Sequence, residues 1–146
     1  MQHPPSSLKR WLLFSLWFSF VAGVIVSADD GKIRAFLAWV NSIPLGDKVG
    51  HVFLIGTLAF LFNHALAGRT LSIARRRVLL APLLVAAVMT FEETSQIWIP
   101  GRTFDLLDLA ANYTGCVAAG LLANWLALRT VKKSAAHSMP EPEAAA

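Results

Sequence analysis

Charge is scarce in this chain: Asp, Glu, Lys and Arg make up 15% of 146 residues, against 55% hydrophobic residues and a mean hydropathy of +0.55. A water-facing globule needs more polar surface than that. The apolar residues also fall in long blocks rather than on alternating faces, which excludes an ordinary soluble domain. Cysteine is almost missing. Cys116 alone sits inside an apolar run, so a disulfide framework and a thiolate metal site are both excluded, and it reads as a small packing residue. No HExxH or comparable spacing is present and only one histidine is well placed, so no metal and no other cofactor is expected. No serine, cysteine or lysine lies in a recognised nucleophile motif, which leaves covalent catalysis without support. The net charge of +4 is not arranged as a basic stripe with interleaved aromatics. Nucleic acid is therefore not an expected partner; the basic residues flank the apolar blocks, as they do in membrane proteins.

What is present is a set of apolar runs. A polar N-terminal tail, 1–10, ends in Lys9-Arg10 and precedes 18 uncharged residues, 11–28. At ~1.5 Å per residue that run crosses most of a ~30 Å hydrocarbon core. It reads as a retained helix; the competing reading is a signal peptide cleaved near Val26-Ser27-Ala28. Ile33, Phe36, Leu37 and Val40 then repeat at helical spacing, which predicts a short interfacial helix with Trp39 at headgroup level, stopped by Pro44 and Gly46. Further spans are expected at about 48–67, 78–99 and 105–128. Asp47 stands where an N-cap would, and a basic loop lies at 68–77. Ala111, Gly115 and Ala119 form a small-residue stripe on which another helix can approach closely. Residues 134–146 carry no core pattern and are expected to be a disordered cytoplasmic tail. The fold class predicted is all-α: a four-span bundle, 11–133, with both termini in the cytoplasm.

The basic residues support that topology. Lys9, Arg10, Arg69, Arg75, Arg76, Arg77, Arg129, Lys132 and Lys133 fall inside, against Lys32, Arg34, Lys48 and Arg102 outside. The conspicuous polar residues then gather at the outer face. Asp47 and His51 are i, i+4; Glu93 and Gln96 are i, i+3; Asp105, Asp108 and Asn112 are i, i+3, i+7 and share one helix face. Three helices thereby converge polar groups beneath the outer headgroups.

Plainer roles compete for several of these residues. Asp105 serves as the N-cap of the last span with Asp108 as its third residue, both favoured by the helix dipole. Arg102 serves as an interfacial anchor, and His51 as a core histidine bonded to Asp47. Glu92 lies one position off the Glu93–Gln96 face. Asn63, His64 and Asn124 read as interhelical hydrogen-bonding residues. Glu93 resists a plain role, because a carboxylate inside a span needs a partner or a proton, and Arg102 or Lys48 is the expected partner.

Asp47-Lys48-x-x-His51, Glu93-x-x-Gln96, Pro100-Gly101-Arg102 and Asp105-x-x-Asp108-x-x-x-Asn112-x-x-Gly115 together resemble the VanZ-like family of small bacterial membrane proteins. The resemblance spans roughly residues 44–120, with the motifs in the family's order. Members usually carry an aromatic, often tyrosine, four residues after the motif histidine; Ile55 stands there in this chain. The resemblance implies a multi-pass fold in a bacterial cytoplasmic (inner) membrane and a polar signature at Asp47, Lys48, His51, Glu93, Gln96, Arg102, Asp108 and Asn112. It also implies a link to teicoplanin-type glycopeptide resistance, and it assigns no reaction.

Several functions fit these residues. In one, an outer-face pocket of those residues with Asp105 binds or modifies an envelope amphiphile, a lipid-linked component or a glycopeptide, among membrane lipids. Arg102 and Lys48 would grip its anionic group, and Glu93, His51 and Asp108 would be the candidates to move protons. In the others the protein is a small transporter or proton relay, or the cluster only stabilises the bundle. A metal site built from His51, Asp105, Asp108 and Glu93 is a further alternative.

Overall fold

The computed structural model describes residues 7–137, with helices α1 (Ser7–Asp29), α2 (Arg34–Asn41), α3 (Gly46–Ala65), α4 (Leu80–Ser95) and α5 (Leu106–His137). The expected tails therefore fall partly outside the described residues, at 1–6 and 138–146. Where they are described they are helical, since α1 begins at Ser7 and α5 continues to His137. The long apolar run explains α1. Most of its large side chains, among them Leu12, Leu16 and Phe20, point away from the protein, as a lipid-facing surface requires. Its inner side is aromatic: Phe14 stacks on Phe62 at 4.6 Å, and Trp17 donates its indole N–H to the Leu54 carbonyl at 3.1 Å. α1 is thus packed into the bundle against α3.

The bundle is centred on α3 and α5. Both glycines at their crossing are required by contact. A Cβ on Gly115 would sit 2.7 Å from the Val52 carbonyl oxygen and 2.9 Å from the Gly56 nitrogen, so the two backbones touch. The stripe of Ala111, Gly115 and Ala119 is buried and faces this partner, and Cys116 packs in the same core with Ile55, Leu58 and Met89. Dispersion across such close backbones replaces the hydrophobic drive that lipid does not supply.

Two helices, α1 and the Leu106–Arg129 part of α5, are long and apolar enough to cross a membrane. This is a membrane protein. A third crossing arises if α2 and α3 count as one, but they are bent by 112° at a tight corner. There Leu45 adopts φ 59°, and a Cβ on Gly46 would run into the Val40 carbonyl. That corner replaces the expected N-cap: Leu45 precedes α3 and Asp47 is already its second residue. α4 is shorter than the span expected at 78–99, with 16 residues before the chain tightens into a 3₁₀ turn, Gln96–Trp98.

One element departs from the all-α expectation. The basic loop is an antiparallel hairpin, β1 (Thr70–Ile73) on β2 (Arg76–Leu79), with Thr70 opposite Leu79. Ala74 and Arg75 turn it with φ of 48° and 65°, the left-handed pair that a two-residue hairpin demands. Because β2 runs to Leu79, α4 starts later than Val78.

Successive long helices alternate in direction, and charge sorts with them. Every described carboxylate lies at one end: Asp29 and Asp30 closing α1, Asp47 opening α3, Glu92 and Glu93 near the end of α4, and Asp105 and Asp108 at the start of α5. Lys9, Arg10, the hairpin arginines and Arg129 lie at the other.

Candidate functional site

At the acidic end, α3 and α5 are in register because Gly56 and Gly115 cross about two helical turns below. That brings Lys48 against three carboxylates. Its ammonium lies 2.8 Å from Asp47 and 2.6 Å from Asp105, and it also contacts Asp108. An ammonium has three protons to donate, and three carboxylates accept them. Lys48 is therefore saturated, and one ammonium against three carboxylates leaves the cluster net acidic. Where a metal would need a cation site among these carboxylates, the ammonium already stands. No group of three metal-ligating side chains occurs among the described residues.

Asp105 has two tasks. One carboxylate oxygen accepts the Leu107 N–H at 2.8 Å, which makes it the N-cap of α5, and the other faces Lys48. The Lys48 bond, followed by that of the Leu107 N–H, holds its carboxyl below the usual carboxylate range. Asp108, one turn on, carries the network inward to His51, whose Nε2 is 3.7 Å from its carboxylate. The other ring nitrogen, Nδ1, lies 3.0 Å from Asn112 Oδ1. If that amide oxygen accepts, Nδ1 bears the proton and Nε2 is left to exchange one beside Asp108.

Beneath His51 the site becomes dry. Glu93 and Asn112 are both 0% exposed. Glu93 Oε1 accepts the backbone N–H of Asp105 at 2.9 Å, which ties α4 to the cap of α5. Glu93 Oε2 and Asn112 Nδ2 are buried with no partner. A buried polar atom left unpaired costs about 1–3 kcal/mol, so a hydrogen-bonding group that reached these two atoms would recover that cost.

Not every expected partner is where spacing put it. Arg102 does not meet Glu93: its Nε lies 3.3 Å from Asp29, so it joins the end of α1 to the Pro100–Gly101 turn. Lys48 does not meet Glu93 either, because the three aspartates occupy it. Both cations expected to grip an anion are thus paired with carboxylates of the protein itself. Gln96 is buried, but it donates to Glu92 Oε1 at 2.9 Å rather than joining Glu93. The i, i+4 spacing of Glu92 and Gln96 was the signal for that pair. His51 bonds Asn112 and not Asp47. Asp29, which no motif pointed to, is read only from the fold. Asn63 makes no interhelical bond, its Oδ1 being buried without a partner, and the side chains of His64 and Asn124 are not engaged across helices among the described residues. Ile55, in place of the family's usual aromatic, is 3% exposed and belongs to the apolar core.

A family model described as VanZ/LLP1 matches residues 5–127. Uncharacterized protein C11E3.10 of Schizosaccharomyces pombe is 34% identical over 105 residues, which cover 70% of this chain and 59% of that protein. The chain therefore spans less than two thirds of the relative's length. No solved structure matches it.

Proposed function

The chain belongs to the VanZ-like family, and from that premise we propose that its acidic cluster receives the polar head of a membrane amphiphile. The observation that carries this is the pair of unfilled buried atoms, Glu93 Oε2 and Asn112 Nδ2, beneath the contacts of Lys48 with the three aspartates. One is an acceptor and the other a donor, a combination that suits a hydroxyl or an amide on the ligand. The three aspartates add negative charge above them, so the head is hydroxylated or cationic rather than a bare anion. His51, between Asp108 and Asn112, is the group placed to move a proton if the head is modified and not only held. A lipid-linked envelope component or a glycopeptide of the teicoplanin type carries such groups. The yeast relative favours an amphiphile common to many membranes over one confined to bacterial envelopes.

The proposal includes four crossings with both termini cytoplasmic, which puts the cluster at the outer face. α4 with its 3₁₀ turn reaches ~30 Å, about one hydrocarbon thickness. Reporter fusions after residues 40, 72, 101 and 135 test this, and a cytoplasmic signal at 101 would remove the outer-face site. The site itself is tested by extracting the protein in native lipid discs and identifying co-purifying amphiphiles by mass spectrometry. Wild type should enrich one species, with at least a tenfold loss in Asn112→Leu and Glu93→Gln at unchanged accumulation. Identical profiles for all three proteins would refute it.

A second reading has its own support. Lys48 saturated by three aspartates and Glu93 bonded to the Asp105 N–H are what a purely structural clasp needs. Loss of accumulation in these variants would favour it.

A further inference from the structure

The basic end carries a feature that the acidic cluster does not use. A cavity of about 1050 Å³ opens between α1, α3, the hairpin and α5, with Arg10, Arg77, Asn63 and His64 among its lining, together with apolar Leu13 and Phe60. Its size is just above the ~300–1,000 Å³ common for small-molecule sites, large enough for a lipid headgroup with part of its chains. Two of its polar side chains each hold a buried atom without a partner. Arg10 reaches the His64 carbonyl through one Nη at 3.5 Å, the outer limit of a hydrogen bond, while its Nε is buried and unpaired. Asn63 is 7% exposed, and its Oδ1 is also unpaired.

Charge sharpens the picture. Every described carboxylate is at the far end of the bundle, so neither Arg10 nor any arginine of the hairpin has an ion pair among the described residues. A guanidinium with a buried, unfilled donor beside apolar walls calls for an anion that brings its own hydrocarbon. Basic pockets between membrane helices hold lipid headgroups on this principle.

We propose that this cavity is a binding site for an anionic phospholipid, its phosphate between Arg10 and Arg77 and its glycerol hydroxyl or ester region against Asn63. The acyl chains run along the apolar side of α1 and α3 toward Leu13 and Phe60. The site is independent of the acidic cluster and stands whether or not that cluster binds a ligand.

The full-length protein in detergent micelles, followed by native mass spectrometry and thermal unfolding, gives the test. Dioleoylphosphatidylglycerol should bind at least tenfold more tightly than dioleoylphosphatidylcholine and should raise the unfolding temperature. Arg10→Gln with Arg77→Gln should abolish that preference, and Ala123→Phe, which fills the cavity without touching charge, should weaken both lipids at least tenfold. Arg75→Gln, at the hairpin tip and outside the cavity, should leave it intact. Equal binding of the two lipids would overturn the anionic preference, and equal loss in Arg75→Gln would overturn the site in favour of a diffuse basic surface. Stabilisation by inorganic phosphate as strong as by the lipid would overturn the lipid assignment. Circular dichroism of each variant confirms that the helices persist. If Arg10→Gln with Arg77→Gln fails to fold, Ala123→Phe carries the decision alone.

Discussion

Removing the cation from the aspartate cluster is the sharpest test of how the acidic end is held. In Lys48→Met the hydrocarbon stem is kept and the ammonium lost, so Asp47, Asp105 and Asp108 face one another without it. The magnitude follows from exposure. Lys48 and Asp108 side chains are 18% and 19% exposed, so their bond is largely shielded, and a hydrogen bond to a charged group there contributes ~1.5–3 kcal/mol. Asp47 and Asp105, at 35% and 38%, are screened by solvent and add ~0.2–1 kcal/mol each. The loss expected is roughly 2–5 kcal/mol, or a fall of ~6–15 °C in unfolding temperature in detergent at neutral pH. The partner substitution supplies the control. Asp108→Asn removes one of the stranded charges, so the double variant Lys48→Met, Asp108→Asn should be more stable than Lys48→Met alone. A Lys48→Met protein that melts with wild type, or a double variant that loses the full total of both singles, would refute the clasp.

Three further outcomes are expected. Gly115→Val should lower unfolding stability by ~1–3 kcal/mol through the clash with Val52 and Gly56, whereas Gly23→Ala, which meets nothing within 4 Å, should be neutral; equal accumulation of the two would contradict the backbone contact. Glu93→Gln keeps the acceptor for the Asp105 N–H and should cost under ~1 kcal/mol, while Glu93→Leu, which strands that N–H, should cost ~1–3 kcal/mol in the same melt. The depressed pKa of Asp105 gives stability that is fully present above the usual carboxylate range and is lost as pH falls through it. Melts taken from pH 6 down to pH 3 should therefore fall less steeply for Asp105→Asn than for wild type, and parallel curves would exclude this contribution.

Much of the acidic end was legible in the sequence because helical spacing is rigid. Asp105, Asp108 and Asn112 had to share a face, and Ala111, Gly115 and Ala119 had to offer a close crossing, whatever lay opposite. Which cation meets which carboxylate was not legible. Arg102 pairs with Asp29 because α1 happens to end beside the 100–101 turn, a fact of tertiary packing with no local signal. Glu93 was recognised as a carboxylate in need of a partner, yet that partner is a backbone N–H, which no residue type announces. The hairpin was hidden for a different reason. Its turn uses Ala74 and Arg75 at positive φ, where Asn-Gly or Asp-Gly would have advertised it. Gln96 closes α4 in α-helical conformation, so its amide reaches Glu92 at i, i+4 rather than Glu93 at i, i+3.

The sorting of the described carboxylates to one end and most of the arginines to the other makes the protein an electrical object as well as a packed one. Across a membrane that holds a potential, each elementary charge moved from face to face changes the energy by ~2.3 kcal/mol per 100 mV. The two ways of inserting this chain therefore differ in energy even with every internal contact unchanged. The favoured one has its arginines on the negative side. Collapsing the potential during synthesis removes that difference, so the fraction of chains inserted in reverse becomes a readout of voltage.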